Sequence, residues 1–146
     1  MTGRDGGALQ NFTPHVKLKI AALWASTMFC YVYGDFFGLF RAGVLARMNA
    51  GIMGLLGPAT PTVLLAVAIM MAIPSVMVFL SLVLPSRLDR WLNVALGLIY
   101  TAIMLMTLPG APLFYTFFGV VEAALTMAIA WYAFTWPRAG TRSQQA

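Results

Sequence analysis

Apolar residues gather into four long stretches along the chain, at about 18–40, 62–84, 91–108 and 113–136. A helix crosses a bilayer with about 20 mostly apolar residues, so each stretch predicts a transmembrane helix, the third being the shortest. A polar leader (1–17) and a tail (137–146) flank this single four-span domain. Between the second and third stretches, "PSRLDR" predicts a tight charged turn, and between the third and fourth "PGAP" predicts an uncharged one.

The segment "RAGVLARMNAGIMGLLGP" between the first two spans is too short to cross twice and too apolar for an ordinary loop. Val44, Met48, Ile52 and Leu55 recur at helical spacing, and Ala42, Ala46, Ala50 and Gly54 make a second, small-residue stripe. Two placements fit: a short amphipathic helix in the outer interface, or a re-entrant segment whose small stripe packs on the bundle. The expected fold is therefore all-α, a four-helix transmembrane bundle with a short interfacial or re-entrant helix between the first and second spans.

Composition agrees with this pattern. The 146 residues are 61% hydrophobic and 9% charged, whereas soluble domains carry about a quarter charged residues. The net charge of +5 reads as membrane topology rather than as a nucleic-acid surface. Arg4, Lys17, Lys19, Arg87, Arg90, Arg138 and Arg142 fall on one side of the spans, and Arg41 and Arg47 on the other. The positive-inside rule then places both termini in the cytoplasm, with Trp91 and Trp136 at the headgroups. The first span has no A-x-A cleavage signal and reads as retained. One cysteine (Cys30) excludes an internal disulfide, and one histidine (His15) excludes a histidine-rich metal site. Cys30 reads as an inert packing thiol. The sequon Asn11-Phe12-Thr13 lies on the predicted cytoplasmic side and precedes a proline. No Walker loop, Rossmann glycine pattern, HExxH or nucleophile elbow is present, so no cofactor is expected.

Two acids fall within the spans. Asp35 lies about 17 residues into an outward-running helix, ~25 Å along its axis. It is expected at the outer interface, in an ion pair with Arg41 or Arg47. Gly34 and Gly38 flank it as a GxxxG pair, which predicts close helix approach. Glu122 lies about nine residues into the fourth span, ~14 Å deep and near the midplane. Thr126 lies one turn further along, and Asn93, Gly97, Tyr100, Met104 and Thr107 form a seam on the third span. Glu122, Tyr100, Thr126 and Asn93 make a candidate intramembrane polar site, with a Glu122–Tyr100 hydrogen bond expected across two helices. Pro74 leaves the Met70 carbonyl without its helical partner, and Ser75 stands ready to compensate.

"LWASTMFCYVYGDFFGLF", "AIPSVMVFLSLVLPSRLDRWLN" and "FYTFFGVVEAALTMAIAWYAFTWP" together resemble a family of small four-span bacterial membrane proteins of no assigned function. The resemblance covers nearly the whole chain after residue 17. It implies a bacterial plasma-membrane location and matches Asp35 and Glu122 to the family's recurring carboxylates. Asp89, Arg90 and Trp91 stand where the family has Asn-Arg-Trp. Ala72 stands where many members carry an acid, which argues against a three-carboxylate metal site.

Three functions remain open. The leading one is a non-enzymatic structural or accessory protein with no catalytic residue, whose partners are the bilayer and a homo-oligomer or another membrane protein. The alternative is a small oligomeric carrier or channel with Glu122 binding a proton or cation. A membrane enzyme acting on a lipid-soluble substrate is the weakest, since Asp35 and Glu122 differ in depth by roughly 10 Å and catalysis needs groups within reach of each other.

Overall fold

The computed structural model describes residues 13–137. Most of the leader and the tail lie outside the described residues. So do Asn11 and Phe12 of the sequon, and Arg4, Arg138 and Arg142 of the charge count.

Five α-helices carry the fold: α1 (Val16–Gly38), α2 (Val44–Asn49), α3 (Pro61–Val83), α4 (Ser86–Thr107) and α5 (Leu113–Phe134). All but α2 are long and apolar enough to cross a membrane. No β-strand occurs among the described residues, only an isolated bridge between Ile52 and Pro58. The boundaries follow from local chemistry. The His15 side chain accepts from the Lys17 N–H at 3.3 Å where α1 begins. Thr60 does the same for Val63 at 3.3 Å ahead of Pro61 at the start of α3.

One boundary differs from the sequence expectation. "PSRLDR" is not a turn, because α4 already begins at Ser86. Pro85 holds φ at −62° as the N-cap residue, and Asp89 in the first turn complements the positive end of the helix dipole. The reversal is confined to Leu84 and Pro85, and the Arg87–Arg90 stretch is helical.

The long helices run up, down, up and down. Both ends of the described chain therefore share one end of the bundle, called here the terminal end. The 39–60 segment and the 108–112 turn share the other, the loop end. α1 packs between α3 and α5, and α4 packs on α5, while α3 and α4 barely meet. The core is built from Ile20, Trp24, Tyr31, Met77, Tyr100 and Ile129, among others. At Gly97 a Cβ would stand 2.8 Å from the Thr126 carbonyl oxygen, so only glycine allows the close approach of α4 and α5 there. The expected close contact at the Gly34–Gly38 pair is weaker. A Cβ built on Gly34 would make only ordinary contact with Phe118, and one built on Gly38 would meet nothing within 4 Å.

The segment between α1 and α3 stays outside the bundle. None of the α2 side chains is buried, and Ala42, Ala46, Ala50 and Gly54 are exposed rather than packed. Gly51, at φ +70°, stops the helix. The chain then folds on itself through Met53 N–H to Gly57 O and Ala59 N–H to Gly51 O, both 2.7 Å. The re-entrant packing of the small stripe does not form.

Candidate functional site

Among the described residues, the four long helices bring polar side chains together in two larger clusters. The first is near the terminal end, where Trp24, Ser81, Asp89 and Asn93 are all fully buried. Asn93 Oδ1 accepts from Trp24 Nε1 at 2.7 Å and from the Ser81 hydroxyl at 3.3 Å. Its Nδ2 donates to the Asp89 backbone carbonyl at 2.8 Å and to Asp89 Oδ1 at 2.6 Å. One asparagine thus ties α1, α3 and α4 together where α3 and α4 otherwise have little contact. Lys17 closes this knot from α1. Its ammonium lies 3.9 Å from Asp89 Oδ2 and donates to the carbonyls of Leu82, at 3.3 Å, and Leu84. A cation at the C-terminal end of α3 is favoured by the helix dipole. Arg90 caps α5 in the same way, donating to the Phe134 carbonyl at 3.0 Å.

The second place is a cavity with about 550 Å³ of empty space, its open mouth included. All four long helices line it, including Tyr31 and Asp35 from α1, Met70 from α3, Tyr100 from α4, and Tyr115 and Glu122 from α5. It runs from mid-depth, where Glu122 and Tyr100 lie, to the loop end, where Asp35 and Thr107 stand. The weak contact between α3 and α4 leaves room for it.

Glu122 is 3% exposed. Thr126 bonds its backbone carbonyl at 2.9 Å, but no described residue hydrogen-bonds its carboxyl. A Cβ built on Gly34 would stand 4.0 Å from Glu122 Oε1, so this face of α1 lies alongside the carboxyl. Tyr31, Gly34 and Asp35 lie at i, i+3 and i+4 on that face. Tyr31 is 7% exposed, and its buried hydroxyl has no hydrogen-bond partner.

These positions regroup the sequence-derived candidates. Glu122 and Tyr100 share the cavity. Asn93 belongs instead to the terminal-end knot, and Thr126 faces Thr101 at 2.7 Å between α4 and α5. The Glu122–Tyr100 hydrogen bond is absent, because the Tyr100 hydroxyl donates to the Met70 carbonyl, the one freed by Pro74. Ser75 turns to the Met71 carbonyl at 2.9 Å instead. Asp35 forms no ion pair with Arg41 or Arg47. The ion pair found among the described residues is Lys17–Asp89. Asp35 is itself exposed and lines the cavity at its mouth, and both arginines lie exposed past the end of α1, where the chain turns away at Gly43.

Sequence reasoning missed Lys17, Trp24, Tyr31, Ser81 and Asp89. Asp89 and Asn93 stand four residues apart, a spacing that signals a shared helix face, but Asp89 was assigned to a turn.

Fold and site together define a small all-α protein with four helices long and apolar enough to span a membrane, enclosing an acid-bearing cavity. The chain belongs to DUF6326, a family of unknown function, whose model matches residues 10–143. No curated protein and no solved structure gives a significant match to the chain.

Proposed function

We propose that the chain is a small, non-enzymatic membrane carrier that binds a cationic solute at Glu122. The observation behind this reading is a nearly buried carboxyl that faces a cavity and has no hydrogen bond from the protein. An ionisable group in a membrane span is costly, and where it persists it faces a cavity or a partner. Buried polar groups in folded proteins are otherwise satisfied. An acid left open toward a void is complementary to a cation from outside the chain. Asp35 at the mouth adds negative potential that draws a cation inward.

The reading sets the protein in a bacterial plasma membrane with both termini cytoplasmic, so that the cavity opens to the outer side. The excess of Lys and Arg at the terminal end supports that orientation. A cysteine replacing Gly110 in a Cys30→Ser background would then react with an impermeant thiol reagent from outside, and one replacing Ser86 would not.

Binding itself is tested with the purified protein in lipid nanodiscs, titrated calorimetrically with sodium, potassium and small organic ammonium salts. At least one cation is expected to bind the wild type and to bind Glu122→Gln about tenfold or more weakly, since a charge-assisted contact is lost. If none of these cations binds, or if binding is indifferent to Glu122→Gln, the reading fails.

A further inference from the structure

We propose that the ligand of this cavity is a lipophilic ammonium compound carrying at least one N–H, held by Glu122 and the Tyr31 hydroxyl. The inference rests on the Glu122 reading above and names its substrate class. Three independent features of the cavity support it.

The first is the donor set. Inorganic cations of the calcium and magnesium kind take six or more oxygen ligands in a defined shell. Around Glu122 the chain offers one carboxyl, a second at the mouth, and a few tyrosine hydroxyls. No group of three or more His, Cys, Asp or Glu residues suited to a metal occurs among the described residues. A bare ion would exchange a full hydration shell for an incomplete one, while an ammonium group needs only a few acceptors.

The second is the rest of the lining. Met70, Met71, Met104 and Phe118 surround the polar groups. Thioethers are polarizable and adapt to irregular apolar shapes, and aromatic faces attract cations. The cavity opens at its mouth, which leaves room for more than an unsolvated ion. An apolar body beside the ammonium would occupy it.

The third is Tyr31. Its hydroxyl is buried, without a protein partner, in a cavity-lining residue one turn along α1 from Gly34, the position that faces the Glu122 carboxyl. A buried hydroxyl with no bond is costly, and a ligand N–H donating to its oxygen gives it a partner. A quaternary ammonium has no hydrogen to donate and leaves Tyr31 unsatisfied.

The test uses full-length protein in nanodiscs and three probes: 4-phenylbutylammonium, its N,N,N-trimethyl analogue, and neutral 4-phenylbutanol, each corrected for uptake by empty nanodiscs. The primary ammonium is expected to bind. The trimethyl analogue and the alcohol are expected to bind about tenfold or more weakly, the loss of one hydrogen bond to a charged group or of the charge itself. Tyr31→Phe, which removes only the hydroxyl, should weaken the primary ammonium several-fold and leave the trimethyl analogue unchanged. Equal or tighter binding of the trimethyl analogue, or an unaltered primary ammonium in Tyr31→Phe, overturns the assignment. Sodium or potassium binding that depends on Glu122, with no ammonium binding, overturns this inference and leaves the carrier reading standing. Binding of nothing at all overturns both. Glu122→Gln and Tyr31→Phe preserve side-chain shape, and an unchanged melting curve separates lost binding from lost fold.

Discussion

The knot around Asn93 and the cavity around Glu122 are both polar and both buried among the same four helices, yet they are finished differently. Asn93 uses its whole hydrogen-bonding capacity, two acceptances at Oδ1 and two donations from Nδ2, all to protein groups. Its one loose end is Asp89 Oδ2, which lacks a hydrogen bond but has the Lys17 ammonium nearby. Glu122 and Tyr31 hold the opposite condition: both line the cavity, the Tyr31 hydroxyl is buried without a partner, and no described residue hydrogen-bonds the Glu122 carboxyl. A polar group exhausted by its own chain has nothing to offer a ligand, whereas one left open does. Burial and depth alone do not separate the two cases, since Asn93 is more deeply enclosed than Glu122.

Substitutions at the two places should therefore behave differently, and the largest loss of stability is expected in the knot. Asn93→Leu removes the partner of the Trp24 N–H, the Ser81 hydroxyl and the Asp89 carboxyl together. We expect a loss of about 3 kcal/mol, several unsatisfied buried groups at the lower end of their usual cost. Reversible unfolding in mixed detergent micelles measures it, and a loss under about 1 kcal/mol would show the knot to be dispensable. Gly97→Ala follows at about 2 kcal/mol, because the new methyl meets α5 backbone that cannot rotate away. The same unfolding curve reads it, and a neutral result would mean that α4 and α5 separate more easily than their packing indicates. Lys17→Met comes next, at about 1 kcal/mol, since the ammonium sits at the partly exposed edge and serves α3 carbonyls and Asp89 at once. High salt should shrink that difference.

Span number and helix type were legible because twenty-residue apolar runs have few other solutions. The two acids within the spans were also legible, since the cost of placing them there marks them from sequence alone. Their partners were not. Which carbonyl Tyr100 would reach depended on how α3 and α4 diverge, and the Pro74-freed carbonyl of Met70 captured it first. Asp89 was hidden by its neighbours. Pro85, Arg87 and Arg90 read as a turn, but proline suits the residue before a helix as well as a turn, and only the three-dimensional course buries the acid. The depth difference between Asp35 and Glu122 separated them along the axis, but a cavity extending from mid-depth to the loop end joins them nonetheless.

The smallest effect on stability is expected at Glu122, and it sharpens the comparison most. Sequence reasoning alone, with a Glu122–Tyr100 bond in mind, assigns Glu122→Leu a loss of ~1 kcal/mol. The structure reverses this, because Tyr100 is engaged with Met70 and the carboxyl has no protein hydrogen bond to lose. Glu122→Gln should shift stability by less than ~0.6 kcal/mol, the average worth of one interhelical hydrogen bond in a membrane bundle. Glu122→Leu should be neutral or stabilising, since an apolar side chain removes an unpaired polar group from a nearly buried position. Both variants should unfold close to or above the wild-type midpoint in the assay that detects the Asn93→Leu loss, while both lose cation binding. A Glu122→Leu protein less stable than Asn93→Leu would invert the comparison and make the carboxyl, rather than the asparagine, the group that holds the helices together.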